Sequence, residues 1–283
     1  MPAMNIAAPP LALMQSPQMM RTLRALGRDA RIVPLDDAGQ VAVIQRRVGP
    51  VSVRFASRGP VFDPHTSTGQ RIAALKALRL HVLNANGGTE PMCHAAGFRQ
   101  VMTPATVAIL PLCSDRDAQL VQTRGKWRNA ARQAQRSGLV IRQAALRADS
   151  HNWLFDVDRA MARARGYRNL PAAVVTAYAT SNPGLAQLFT AHIGAVPVAA
   201  MLMLLHGTTA TYQIGWSDTA GRRHSAHHAL LLHAADALRA CGVLQLDLGT
   251  LDTINSPGLA RFKLGCGAQA LRLGGTWIRL PFH

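Results

Sequence analysis

Lys263 is one of only three lysines, with Lys76 and Lys126, in a chain whose 31 basic side chains are otherwise all arginine. Against that background an ordinary surface cation would be Arg, so Lys263 is the first candidate for a functional residue. The alternative is a plain helix-end cation. Asp247 lies at the end of a run, 243–248, that reads as a buried strand. It could orient an amine or accept its proton, or cap the next loop. Phe262 would wall such a site or pack in the core. Tyr212, on the strand before Trp216, could line the same cleft or simply be packed. Arg222, Arg223 and Ser225 precede a helix, where bases and backbone N–H groups bind phosphate; the competing reading of the two arginines is surface charge.

Other chemistries are argued against. His224, His227 and His228 have helical spacing, but no acidic ligand stands nearby and no HExxH occurs, so no metal site is expected. There is no GxSxG elbow and no CxxC pair. Cys93, Cys113, Cys241 and Cys266 are far apart and read as buried fillers rather than zinc ligands or a disulfide framework. Nucleophilic hydrolase chemistry is therefore not expected.

The clearest charge pattern is a helix over 125–137. Arg124, Arg128, Arg132 and Arg136 recur every four residues and form one stripe, opposite Trp127, Ala130, Ala131 and Ala134. Like charges at that spacing cost helix stability, so an anion should compensate, or the stripe is a solvated face. The whole chain repeats this excess: 31 basic against 14 acidic side chains over 283 residues, formally +17, with Glu90 the lone glutamate. Replacement of Lys by Arg explains the scarcity of lysine but not that of acids. A phosphate-rich partner fits.

The elements that must position these residues read as follows. Helices are predicted over 15–26, 68–80, 89–96, 125–137, 152–165, 225–240 and 257–264. Strands are predicted over 31–34, 41–47, 51–56, 81–84, 102–112, 185–192, 196–206, 208–216 and 243–248. The apolar face of the helix at 225–240 is Ala226, Leu230, Ala234, Leu238 and Cys241. A loop through Gly221-Arg222-Arg223 leads into it. Strand, helix, strand, short helix, glycine, strand occurs near 51–110 and again near 208–280, which signals an internal duplication. No base precedes Arg21, so no secretory signal is expected. The longest apolar run, 195–205, contains Pro197 and is too short to span a bilayer. A cytoplasmic protein is expected, with membrane-surface contact and oligomeric state left open.

Three blocks resemble a known family. Lys126-Trp127-Arg128, Arg132-Gln133-Ala134 and Gly138-Leu139-Val140-Ile141 resemble the K-x-R…R-K-A…G-V-x-V segment of the FemA/FemB/FemX family. Ala96-Gly97-Phe98-Arg99 with Met102-Thr103-Pro104-Ala105-Thr106 is similar to its GF…P-x-x-T segment. Asp247-Leu248-Gly249 with 258–267 (Gly-Leu-Ala-Arg-Phe-Lys-Leu-Gly-Cys-Gly) resembles its D-F-G…G-x-x-x-F-K-x-x-F-G signature. The similarity spans about 15–277. It implies a mixed α/β chain of two tandem GNAT-like domains, each a central mixed sheet flanked by helices. The expected layout is a loose segment at 1–14, a first domain at 15–142 carrying the basic helix, and a second at 143–283 whose last strand can return to the first.

The resemblance also implies an enzyme that moves an acyl or aminoacyl group from aminoacyl-tRNA or acyl-CoA, as co-substrate, to an amine acceptor. The attack is direct, with no covalent enzyme intermediate and no tightly bound cofactor. Lys263 matches the family lysine assigned to the oxyanion or a donor phosphate. The donor is expected near Arg222, Arg223, Asp247 and Lys263. The acceptor, phosphate-bearing, is expected between the domains near Lys126 and Arg128. Departures are the missing coiled-coil arm, Cys266 in place of the final aromatic, and a loop at 221–228 without the two glycines of the R/Q-x-x-G-x-G/A phosphate grip. The alternative is a non-catalytic protein that binds RNA or another polyanion.

Overall fold

The computed structural model describes residues 10–147 and 152–279. Residues 1–9 of the expected loose segment lie outside that range. Leu13–Gln15 instead form a 3-10 turn in which Leu13 and Gln15 are buried.

One unit comprises residues 11–107 and 270–279. Its elements are α1 (Pro17–Ala25), β1 (Asp29–Pro34), β2 (Gly39–Val48), β3 (Val51–Gly59), β4 (Val61–Phe62), α2 (Thr68–Ala77), β5 (Val82–Ala85), α3 (Glu90–Ala95) and β6 (Arg99–Met102). Helix starts follow local chemistry. Ser16 caps α1 by accepting from Met19 N. Ser67 and Gln70 form a reciprocal capping box on α2. The sheet order is β1-β2-β3-β5-β14-β6, with β4 on β2; β14 (Gly275–Ile278) returns from the chain's end to lie between β5 and β6.

The second unit is 108–269. It holds most of β7 (Thr106–Pro111), α4 (Arg116–Val121), α5 (Gly125–Gln135), β8 (Val140–Ala145), α6 (Asn152–Arg165), α7 (Ala172–Ser181), β9 (Ala186–Ile193), β10 (Val196–His206), β11 (Thr209–Ser217), α8 (Thr219–Arg223), α9 (Ala226–Ala240), β12 (Gln245–Thr250), α10 (Pro257–Gly265) and the first residue of β13 (Gln269–Arg272). The sheet order is β13-β7-β12-β11-β10-β9-β8. Beside the central β11, β10 is buried from Val198 through His206. A strand covered on both faces must be apolar at every position, hence the continuous run in the sequence. Ala226, Leu230, Ala234 and Leu238 of α9 pack into the same core as Val198, Met201 and Met203. Each large buried side chain there contributes roughly 1.5–3 kcal/mol.

Four expectations change. The strand expected over 102–112 begins only at Thr106, as β7, beyond Pro104, which has no N–H for a ladder, and the exposed strand β6 at 99–102 precedes it unforeseen. The compact units meet the chain at 107/108 rather than 142/143. The reason is that β7 joins the second sheet, Leu112 N bonds to Leu244 O, and α4 and α5 pack on α9. Cys241 is the exposed C-cap of α9 rather than part of its apolar face, and Cys113 is half-buried; only Cys93 and Cys266 are buried fillers. Finally, the loop before α9 contains the helical turn α8, capped by Asp218 Oδ1 accepting from Gly221 N at 2.7 Å. Gly221 is required there: a Cβ would stand 2.2 Å from the Val198 carbonyl oxygen.

Candidate active site

The site grows from a break in the second sheet. β11 and β12 run parallel and pair from Thr209↔Gln245 to Thr211↔Asp247. Beyond that register the pairing ends, although β11 continues to Ser217 and β12 to Thr250. The cause lies one strand away. Leu202 pairs with Ile214 and Met203 with Tyr212, so Gln213 is an extra residue in β11. A bulge of this kind bends its strand and sharpens its twist, which carries β11 off β12. An opening results, with Asp247 at its apex and Tyr212 as the first residue past the last pair.

Asp247 is buried, and its Oδ1 accepts from Gly249 N at 2.8 Å. Gly249 has φ +78, so the chain turns here in a conformation that favours glycine. Lys263, on α10, is 5% exposed, and its Nζ donates to the Thr250 carbonyl at 2.8 Å. One of three ammonium donors is thereby used at the open end of β12. Burial pushes the Lys263 ammonium down to about 8, against an opposing pull from the Asp247 charge. Cys266, which replaces the expected aromatic, is buried and donates to the Lys263 carbonyl; burial pushes its thiol up to about 12, so it stays a neutral thiol.

Tyr212 is half-buried. Its ring lies along β11 with the hydroxyl over Gly215, whose missing Cβ leaves the space for it. Burial, then the neighbouring Tyr167, push the Tyr212 phenol far above its usual value. Tyr167 donates to Asp158 Oδ1 at 3.0 Å, and Asn169 Nδ2 donates to the same oxygen at 2.9 Å. This Tyr167–Asp158–Asn169 group was not legible in the sequence, because no short motif joins residues on α6 to the loop after it.

Phe262 belongs to an aromatic cluster that was equally hidden in the sequence. Its ring centroid lies 6.0 Å from Trp127, 5.2 Å from His228 and 6.1 Å from His227; Trp127 and His228 are 4.9 Å apart. His227 Nε2 is 3.0 Å from the Trp216 carbonyl. Burial lowers both imidazoles, that of His228 to about 4 despite the Ser225 carbonyl nearby. Helical i, i+1 and i+4 spacing alone could not reveal that α5, α9 and α10 converge here.

The basic residues divide. Arg128 turns back on α4: its Nη2 donates to the carbonyls of Val121 (3.0 Å) and Thr123 (2.8 Å). It leaves the expected stripe, and its charge is met by helix-end carbonyls instead of an anion. Lys126, Arg124, Arg132 and Arg136 are exposed on α5. Arg222 spans α8, donating to the Ser217 carbonyl at 2.7 Å and Thr219 Oγ1 at 3.1 Å, while Arg223 is exposed. Ser225 is the N-cap of α9 at φ +53, and its side chain makes no cap hydrogen bond. The first turn of a 15-residue helix thus has no side-chain cap, and the strained residue before it costs on the order of 1 kcal/mol.

Known proteins match this chain in family and in fold. Residues 122–267 match the acetyltransferase (GNAT) domain family. No curated protein matches at the sequence level. Among solved structures, the crystal structure of FemX superposes with a TM-score of 0.76 at 15% identity, covering 95% of this chain and 92% of that one. The C-terminal DUF2156 domain of a putative lysylphosphatidylglycerol synthetase from Agrobacterium fabrum gives 0.56 at 14% identity, over 94% and 88%. L-PGS from Bacillus licheniformis gives 0.55 at 12% identity, over 96% and 94%. At these identities the likeness is one of fold: two mixed sheets flanked by helices.

Proposed function

Because the chain belongs to the acetyltransferase (GNAT) domain family, we propose that it transfers an acyl or aminoacyl group from a phosphate-bearing carrier, aminoacyl-tRNA or acyl-CoA, to an amino group of an acceptor. The observation that carries this reading is the parting of β11 and β12 past Thr211 and Asp247, with the buried Lys263 amine at the open end.

The steps follow from chemistry. The donor's carbonyl enters the opening and the acceptor amine attacks it. An N–C bond forms and the carbonyl oxygen takes the negative charge. Lys263 holds that charge; a preorganised cation in a dry site is worth far more than one in water. The amine's proton leaves through Asp247, and the C–S or C–O bond to the carrier breaks. The thiolate or ribose oxygen leaves with that proton. Phe262 and Tyr212 shape the walls, and direct attack needs no covalent enzyme intermediate. Arg222, Arg223 and the N-terminal turn of α9 from Ser225 meet the carrier's phosphates. Lys126 and Arg128 meet the acceptor's phosphate, for which Arg128 would have to release the end of α4.

The names of the similar structures favour an aminoacyl donor. Aminoacyl-tRNA and acyl-CoA should therefore be offered in parallel with a panel of amines, and products read by mass. Product from aminoacyl-tRNA is expected. A carrier contacting six to ten phosphates should lose about 10³–10⁵ in affinity between 50 and 200 mM salt, and CoA much less. Product from acyl-CoA alone would reverse the donor assignment.

The pH profile gives an independent check. The Lys263 cation is present below about pH 8 and lost above it, so transfer should fall as pH rises through that value. Lys263→Arg keeps its charge to far higher pH. Any activity it retains should show no fall near pH 8.

A further inference from the structure

The unit formed by 11–107 and 270–279 carries a groove of about 540 Å³ whose lining includes none of the residues assigned above to transfer. It opens where β1, an edge strand, meets the C-terminal end of α2. Its lining there is apolar: Val33 and Val43 from the sheet, Ala74 and the exposed Ala77 from α2, and Leu78 at the helix C-cap. That volume is within the range of small-molecule sites.

One end of the groove is basic. Arg31 pairs across β1/β2 with Val43, and Arg54 on β3 pairs with Gln45, so the two lie on one face on either side of β2. Arg54 N bonds to His81 Nδ1 and His81 N to the Arg54 carbonyl, which lays the segment carrying Arg79 beside Arg54. Arg31, Arg54 and Arg79 all line the groove.

Ordinary structural duties do not account for them. The end of α2 is capped by Arg279, whose Nη1 donates to the carbonyls of Leu75 and Lys76, so Arg79 is not needed there. Arg54 Nε is oriented by Gln45 Oε1 at 2.8 Å, leaving its fork to face the groove. The lining acid, Asp36, stands at the other end, roughly 15 Å away by strand rise, while Asp29, two residues before Arg31 and paired with Gln45, shares the basic face without forming an ion pair to these arginines. No acidic partner neutralises the three guanidinium groups among the described residues.

We propose that this groove binds a small amphipathic anion: an apolar chain ending in a carboxylate or a phosphate. The acid sits among Arg31, Arg54 and Arg79, and the chain lies along Val33, Val43 and Leu78. Planar guanidinium forks match either acid. The apolar trough separates this ligand class from free inorganic ions.

Calorimetric titration of the full chain with octanoate, octyl phosphate, 1-octanol and inorganic phosphate tests it. At least one of the two amphipathic anions should bind ten-fold or more tighter than both 1-octanol and inorganic phosphate. Preference between octanoate and octyl phosphate identifies a fatty carboxylate or a phosphate monoester as the source. Arg79→Gln replaces an exposed side chain that makes no described bond, so it should fold as the parent does and bind at least ten-fold more weakly. Ala77→Glu, exposed on the groove wall, should weaken binding similarly by placing a like charge there. Failure of both amphipathic anions to bind, equal binding of inorganic phosphate, or unchanged binding by the two variants would each overturn the proposal.

Discussion

Lys263→Ala is expected to lower the rate of transfer by about 10²–10³-fold, the usual cost of removing one preorganised group that faces a developing oxyanion. The expectation rests on the Nζ lying at the open end of β12, bonded to the Thr250 carbonyl, where it can meet charge only as the bond to the donor carbon changes. Substrate binding should suffer less than the rate, because a carbonyl ground state carries little negative charge. The alanine variant also leaves the buried Asp247 without its neighbouring cation, which costs stability. Lys263→Met therefore belongs beside it: similar volume, no charge, the same expected loss of rate, and no cavity. Unchanged transfer to a panel of amines by the methionine variant, with polyanion binding intact, would sink the enzymatic reading of this site.

Trp127→Ala should destabilise the protein by about 3–5 kcal/mol, the range for removing a large buried aromatic. Trp127 is 5% exposed and packs on Phe262, on His228 and against Gly265, where a Cβ would come within 2.9 Å of its ring. It ties α5 to α10, and α10 carries Lys263. The melting temperature should fall on the order of 10 °C. Transfer should fall too at temperatures where the variant is still folded, since the residue beside Lys263 loses its support. A variant that melts with the parent would mean that the cluster does not hold α10. Trp127→Phe, which keeps most of the apolar area, should recover most of the stability.

The scarce residues were legible early. Lys263 stood out because lysine is rare here, and its burial agrees with a role other than surface charge. The face of α9 was readable from its 3.6 period, and β10 from its unbroken apolar run, because each pattern is a direct image of what the element must bury. Arg128 was less readable. A stripe of four arginines gives identical spacing whether a guanidinium faces solvent or turns back onto the end of another helix, and the structure places this one on the Val121 and Thr123 carbonyls. Strand β6 was missed and β7 started too early because apolar, β-branched residues flank Pro104 on both sides; which sheet each strand joins depends on partners distant in the chain.

By itself, the sequence determined the mixed α/β class, the order of most elements, the basic excess, and which few side chains could hold charge in a reaction. These depend on local periodicity, capping and composition. Only the tertiary structure decided where β11 leaves β12, which of the arginines are spent on carbonyls, and that Trp127, His228 and Phe262 meet. Those facts depend on a bulge one strand away and on packing between helices far apart in sequence. A one-residue bulge is defined by the pairing with the partner strand, and that pairing is not written in the strand's own residues.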